Sequence, residues 1–408
     1  MNNTIKLAVA SALLAAASSA SAAGGIVAGD WTLDIGGIVN TYYTQTKASG
    51  NLSAAAIAVG GYGSAFNTTT DSGRNAKQNN ITTGLLPNYL TVSGKTRQND
   101  LDVTFLISIN PGSSTEQGGI QGSNQENRQA FLTFGDASWG SIKLGKDLGI
   151  YASDAILNDM TLLGVGSGAG NLKGNTTTTG RIGTGFMYAD WKSQVAYSTP
   201  NFNGFSATAG VTQAFNANNT LSGATNSQRG GSEPAFEGKA SYAFAGDVSG
   251  KVWVSGISQK VQGLVAGTVN QTADSVDVGA NVNMAGFGLT GYYYTGNGIG
   301  QTIQFNGGFD AAGNKRDSDG GYVQATYTLP GVGTKLGASW GISKIDGNTV
   351  DTFSKVEDEM WTIGAYHPIT KHLNLVAEYS DVKHKVDIAG ATTEGKGKTA
   401  SVGAILFF

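Results

Sequence analysis

The sequence predicts an all-β protein: a transmembrane, antiparallel β-barrel of sixteen strands with a long third external loop folded into the lumen. Three observations predict it. Runs of strand length alternate apolar and polar residues along the chain, and short polar turns alternate with long loops. No stretch beyond the N-terminus is long and apolar enough for a spanning helix, and only helices and closed barrels satisfy their backbone groups in lipid. The chain also ends on Val402, Ala404, Leu406 and Phe408, an apolar alternation that closes on an aromatic. Soluble chains seldom end so, because free termini fray.

The N-terminus carries an export signal. Lys6 supplies the positive start, Leu7–Ala17 the apolar middle and Ala20-Ser21-Ala22 a small-residue cleavage site. The apolar run falls short of the roughly 20 residues that a membrane anchor needs. We therefore expect residues 1–22 to be removed and 23–408 to form the barrel domain, with 25 basic against 29 acidic residues. Cys is absent, which excludes disulfides and thiolate metal sites. Gly numbers 61, about twice ordinary usage, which suits strands and turns and disfavours helices. The mild net charge argues against nucleic acid, and no basic cluster stands out along the chain.

The strands follow in order. The first spans Asp30–Thr44, with Trp31, Leu33, Ile35 and Tyr43 outward. Gln45–Gly84 reads as an external loop whose apolar middle, Ala54–Val59, packs on its own barrel or on a neighbouring subunit. Strand two, Leu86–Arg97, sets Leu90 and Val92 against Tyr89, Thr91, Ser93 and Lys95. After the turn Gln98–Asp100, strand three, Leu101–Asn110, alternates most clearly: Leu101, Val103, Phe105, Ile107 and Ile109 outward, Asp102, Thr104, Ser108 and Asn110 inward. Strands four and five, Arg128–Phe134 and Ser141–Lys146, form a hairpin that feeds an insertion at 147–180 rich in Gly, Asp and small apolar residues. Such an insertion makes sense if the sheet is a tube and the insertion folds into its bore. Strands six to ten are Thr184–Thr199, Phe205–Gln213, Pro234–Phe244, Ser249–Gln259 and Asp274–Asn283. Strands eleven to sixteen are Gly288–Thr295, Gly320–Leu329, Thr334–Ile345, Glu359–His367, His372–His384 and Lys398–Phe408. Sixteen is even, as bacterial barrels require.

A soluble sandwich also alternates, but its outer faces carry charge. Here the polar face is Gly, Ser, Thr and Asn. Aromatics near strand ends (Tyr42, Tyr43, Phe131, Phe134, Trp139, Tyr292, Tyr293, Tyr294, Trp361, Tyr366) read as interfacial girdles.

Within the insertion, Ser153 is placed to cap a helix from Asp154 to Met160. Asp154 and Asp159 are five residues apart. At ~100° per residue they point about 140° apart, so one straight helix cannot turn both to the bore. Asp159 is read as the lumen acid and Asp154 as a helix-start charge; the alternative is that both only stabilise the loop. Lys95 and Lys143 face the lumen by alternation. Arg128 and Arg181 are read as inward because a lipid-facing Arg costs about 2–4 kcal/mol at the midplane. Gly164, Gly166, Gly168 and Gly170 alternate and let the backbone approach the wall closely. No Lys-Ser/Thr follows them, which disfavours a phosphate cradle.

Asn88–Leu101 (NYLTVSGKTRQNDL), Arg128–Phe131, Gly140–Lys146 (GSIKLGK), Tyr197–Phe205 (YSTPNFNGF) and the terminal strand ending on Leu406 and Phe408 resemble the general diffusion porins of Gram-negative bacteria. The resemblance implies a homotrimer of sixteen-stranded barrels in the outer membrane, among outer-membrane lipid and lipopolysaccharide. It also implies passive passage of small hydrophilic solutes and ions, and a closing strand read by the outer-membrane assembly machinery. It puts Asp159 and Asp154 among the loop acids, and Arg128 and Arg181 at wall positions that carry Arg. Glu126 and Tyr89 stand where wall bases are often found, so the basic arc is thinner here. No cofactor and no metal are expected.

The net charge leans toward weak cation selectivity. A substrate-selective channel for a sugar or anion is the main alternative, and a non-conducting adhesin or structural barrel a further one. Catalysis is not expected. The chain has three His residues, His367, His372 and His384, and no Ser or acid partner stands out.

Overall fold

The structure is a computed structural model that describes residues 25–50, 52–53, 56, 59, 77–115, 125–167, 176–219, 233–263 and 269–408. The expected signal, residues 1–22, lies outside them, as do Gly168 and Gly170. Nineteen strand segments form one antiparallel sheet. They are β1 (Ile26–Ala28), β2 (Trp31–Gly50), β3 (Lys77–Thr82), β4 (Tyr89–Gln98), β5 (Leu101–Pro111), β6 (Gln125–Glu126), β7 (Ala130–Asp136), β8 (Gly140–Leu148), β9 (Trp191–Ser198) and β10 (Phe205–Thr212). There follow β11 (Ala235–Phe244), β12 (Val248–Val261), β13 (Gln271–Met284), β14 (Phe287–Asn297), β15 (Asp317–Thr328), β16 (Lys335–Asp346), β17 (Phe353–Pro368), β18 (Leu373–Ile388) and β19 (Ala391–Phe407).

β19 returns to pair with β2, Leu406 opposite Val39, and this closes the sheet into a barrel. β3 and β4 both pair with β2, one along each half, and so form one interrupted wall strand. β6 and β7 share β5 in the same way. β1 is a three-residue addition folded back on β2. The wall therefore has sixteen strands, and closure leaves no free edge. All sixteen expected strands are present. β3 lies within the stretch expected as loop; its Asn79 and Asn80 give no apolar alternation. The expected sixth strand starts only at Trp191, and residues 184–190 stay with the insertion.

Alternation sorts the residues as expected. Ile107, Val278, Ile363 and Val402 are each more than half exposed and face lipid, whereas Ser108, Asp277, Thr362 and Ser401 turn inward and are buried. The short turn at Asn99 and Asp100 has φ of 48° and 63°, the twist that lets a two-residue hairpin match its strands. The aromatics divide: Tyr43, Tyr293 and Trp139 are exposed, but Tyr42, Tyr292, Tyr294 and Tyr366 are buried inside rather than at a girdle.

A sixteen-stranded barrel is too wide for wall side chains alone to fill. The insertion after β8 fills it in part. Tyr151, Ala155, Ile156, Leu162, Ile182, Phe186 and Met187 pack on inward-facing Trp253, Ile257, Tyr292, Tyr294 and Tyr322. The loop after β14 adds Ile299, Phe305 and Phe309 to the same cluster. Ala56 and Val59 of the first long loop pack with Ile345, Phe353, Val356 and Val386 of their own barrel.

Candidate functional site: the inward segment and its seat

The connection from Leu148 to Trp191 crosses the bore and is fixed to the wall at several points. Glu237 of β11 accepts the N–H groups of Ile150 and Tyr151 at 2.8 and 2.9 Å. Across the barrel, Glu378 of β18 accepts those of Val165 and Gly166 at 2.7 and 2.8 Å, and the Tyr366 hydroxyl at 2.6 Å. Between these two carboxylates, Tyr322 donates to the Ala155 carbonyl at 2.8 Å, and Gln324 bonds Asn158 and Met160. Tyr42 donates to the Leu163 carbonyl at 2.7 Å. Apart from the Tyr366 hydroxyl, which joins two wall strands, each bond satisfies a backbone group of a segment too irregular to satisfy its own.

Close approach at Glu378 needs glycine. A Cβ on Gly164 would stand 2.2 Å from Glu378 Oε1, and Gly166 has φ of 63°. Sequence reasoning picked out these glycines but not the two wall glutamates. The signal for them was weak: an inward acid on a lumen face is unremarkable in a water-filled bore.

The helix in the segment runs Ser153–Asn158 and is uncapped, because Ala152 at the N-cap is left-handed and the Ser153 hydroxyl donates to Ile150 instead. Asp159 ends this helix and caps a following 3-10 turn, Met160–Leu163, by accepting from Thr161. The two acids thus lie on separate elements.

Asp154 is buried and shared by two lysines of the wall, Lys239 at 3.3 Å and Lys251 closer. Burial raises its carboxyl pKa, but the two lysines outweigh burial and hold it below the usual value. Asp159 is also buried, and its basic partner is Arg181, with Nε at 3.7 Å. Burial outweighs this pairing and pushes the Asp159 carboxyl up. Arg181 belongs to the returning arm of the inward segment, not to a wall strand. It bonds Ser339, the Met360 carbonyl at 3.1 Å and the Thr184 carbonyl at 3.3 Å, and so ties the arm to β16 and β17.

Arg128 is 6% exposed, donates to Glu126 at 2.7 Å and Thr176 at 3.2 Å, and packs over Trp191. Lys143 pairs with Asp147 and lies over the Phe131 ring. Lys95 is exposed on the inner face of β4. Sequence reasoning missed Lys239 and Lys251; alternation along β11 and β12 turns both inward with Glu237, Trp253 and Ser255. At the closing strand, Phe408 exchanges two backbone hydrogen bonds with Gly37, at 2.8 and 3.0 Å. Leu406 faces outward.

Two cavities flank the segment. One of 610 Å³ is lined by Leu86, Glu126, Arg128, Ile156, Leu157 and Trp191 among others. The other, of 450 Å³, is lined by Leu157, Asn158, Asp159, Asp247 and Lys335 among others. Leu157 borders both.

The sequence profile of the Gram-negative porins matches residues 8–387. The chain belongs to that family. A porin of this fold is a channel of the outer membrane. The anion-selective porin from Comamonas acidovorans is 15% identical and aligns with a TM-score of 0.60 over 93% of this chain and 100% of its own. The outer membrane channel DcaP of Acinetobacter baumannii is 15% identical, with a TM-score of 0.65 over 94% and 100%. OmpF of Salmonella typhi is 16% identical, with a TM-score of 0.53 over 93% and 99%. At these identities the likeness is one of fold. No curated protein matches this porin in sequence.

Proposed function

We propose that this porin is an open, water-filled channel for passive diffusion of small hydrophilic solutes and ions, working as a homotrimer once residues 1–22 have been removed. The observation that carries this reading is the seat of the inward segment. It hangs from opposite walls through Glu237 and Glu378, with a cavity on either side and Leu157 between them. A segment held at its edges narrows a bore rather than sealing it.

The net charge leans toward cations, but the wall around the helix supports the opposite sign. Asp154 itself meets two lysines, one positive charge more than it offsets, and the Asp277 carboxyl near Asp154, which accepts from Ser255 and Tyr292 and not from a lysine, reduces that excess. Lys95 and Lys335 add bases to the lumen-facing wall. Screening acts over ~8 Å at physiological salt, so charges at a narrow point bias passing ions most. We therefore favour a weak anion preference over the weak cation preference that composition suggests.

Single-channel recording in a planar bilayer tests both points. Stepwise ohmic openings in groups of three, with a reversal potential of the anion sign under a KCl gradient, support them. A folded barrel without conductance refutes the channel. Cation-signed potentials refute the selectivity while leaving the channel standing.

A further inference from the structure

The connection between β14 and β15, residues 298–316, also enters the bore, and it is bolted to the inward segment. The Thr302 carbonyl accepts the Tyr188 N–H at 3.0 Å, and Gln304 Nε2 donates to the Tyr188 and Ala189 carbonyls at 2.9 and 3.3 Å. Gln304 Oε1 accepts from Lys192 of β9 at 2.6 Å, and Gln301 donates to the Ser343 carbonyl of β16 at 2.8 Å. Later in the connection, the Gly307 N–H donates to Asn218 at 2.9 Å and its carbonyl accepts from Arg316 at 2.7 Å. Gly183 of the returning arm leaves room for the contact: a Cβ there would stand 2.5 Å from Thr302 Oγ1.

Ile303 stands apart in this anchored run. Gln301, Gln304 and Phe305 are buried, whereas Ile303 is 42% exposed. A turn separates it from Phe305. The Asn306 N–H donates to the Ile303 carbonyl at 3.1 Å, and Phe305 has φ of 69° at the third turn position, where Gly or Asn is usual. Phe305 thus enters the core, while Ile303 is held out of it between two pinned neighbours. A single exposed Ile is unremarkable. This one lines the 610 Å³ cavity together with Leu86, Leu148, Leu157 and Trp191, all partly exposed, so the cavity presents an apolar face.

The same cavity holds cations with donors to spare. Arg128 uses Nε on Glu126 and Nη2 on Thr176, and its Nη1 has no partner among the described residues. Lys146 gives one N–H to the Asn127 carbonyl at 2.9 Å. Of the acids there, Glu126 is held by Arg128, and Asp190 accepts the Trp191 amide N–H at 2.6 Å. An apolar face beside free cationic donors suits a carboxylate on an apolar body: the guanidinium takes the carboxylate, and the face takes the rest.

We propose that the 298–316 connection is a second constriction element and that Ile303 is a specificity-determining residue, favouring small organic carboxylates with an apolar body over shorter, more hydrated ones. This role presupposes the open channel proposed above and adds the class of solute that the channel prefers. Full burial of one CH₂ favours its transfer from water roughly fourfold. Contact on one side only, in a wet bore, halves that free energy and leaves about a twofold gain per CH₂.

The test is the bi-ionic reversal potential of the purified porin in planar bilayers, with potassium acetate on one side and potassium butyrate or hexanoate on the other. A plain sieve passes acetate best, because it is the smallest. Wild type is expected to pass hexanoate at least threefold better than acetate, with butyrate between them. Ile303→Ser is expected to lower the hexanoate-to-acetate ratio at least threefold, and Ile303→Val to keep most of it. Ile303→Ala gives the same readout in weaker form if the Ser variant does not fold. A wild-type series that falls with chain length overturns the apolar preference. A ratio in Ile303→Ser and Ile303→Ala equal to that of wild type overturns the role of Ile303. A folded barrel that conducts none of these salts overturns the channel itself and this role with it, so the two failures are told apart.

Discussion

Replacing Glu378 with Ala removes the acceptor for two successive amide groups and one phenol at a single stroke. The Val165 and Gly166 N–H groups, at 2.7 and 2.8 Å, are left facing the bore, and the Tyr366 hydroxyl loses its 2.6 Å partner. Hydrogen bonds to a charged group contribute ~1.5–3 kcal/mol each. Water in the lumen recovers part of that, so we expect about 2–4 kcal/mol of net loss, concentrated on the 161–180 arm. At ~1.4 kcal/mol per factor of ten, the ratio of seated to unseated arm falls by roughly 30- to 700-fold. The loss stays local. Residues 150–160 keep their bonds to Glu237, Ser255, Tyr322 and Gln324. Barrel pairing does not involve the Glu378 side chain.

Two measurements check this. Amide hydrogen exchange at Val165 and Gly166 should accelerate by that factor, while Ile150 and Tyr151 keep wild-type protection. Open-channel current noise should rise as the arm leaves its seat. Glu378→Gln keeps an acceptor oxygen and should show a smaller change in the same direction. Wild-type protection at Val165 and Gly166 in a folded Glu378→Ala barrel would refute the latch.

Gly164→Ala should copy that variant with the carboxylate still in place, because the new methyl would stand 2.2 Å from Glu378 Oε1 and push it off its seat; an unchanged exchange rate at Val165 counts against the close approach. Asp154→Asn should strengthen anion preference by freeing Lys239 and Lys251, seen as a larger anion-signed reversal potential; a shift toward cations would remove Asp154 from any part in selectivity. Acid should do the same late. The Asp154 carboxyl is held below its usual value, so its pairing is fully present above the unfolded pKa of ~3.9 and is lost only as pH falls through the lower folded value; selectivity that changes between pH 7 and 5 has another source. Arg181→Met should destabilise the returning arm by up to ~3–5 kcal/mol, as breaking one side of a buried pair does, and Arg181→Met/Asp159→Asn should recover much of it; thermal melts in which the double variant is the weaker of the two would show that Arg181 acts through its carbonyl contacts and not through Asp159.

The wall was legible in the sequence because a barrel strand sees two solvents. Ile107, Val278 and Val402 meet lipid while Ser108, Asp277 and Ser401 turn inward, and a period of two writes that difference into the chain. Where both faces meet similar surroundings, the code fades. In β3, with Asn79 and Asn80, and in the charged ends of β17 and β18 the outward face is itself largely polar; there the alternation gives way to mixed charge, and the expected strands stopped short.

The inward segment follows different rules. Its helix spans six residues, too few for a periodic stripe, and its neighbours are set by closure of the barrel rather than by adjacency in the chain. Asp154 meets Lys239 and Lys251 some 85 and 97 positions away, and Gly166 meets Glu378 at a separation of 212. The angular argument assumed one helix carrying both acids, whereas the helix stops at Asn158 and Asp159 caps the following turn; nor could it supply partners for either. The family's pattern of acids facing bases led to expecting free charges across a bore. In this chain the lumen-facing Trp253, Tyr292, Tyr294 and Tyr322 form an apolar bed for the segment. Charges drawn onto that bed are buried, and a buried charge must be paired or satisfied. Hence Asp159 is tied to Arg181, Asp154 to two lysines, and the segment's backbone to two wall carboxylates. On the proposed reading the charge left at the seat adds to that of Lys95 and Lys335, and the Lys239–Asp154–Lys251 group is then a better place to alter selectivity than Asp159, which is tied to Arg181.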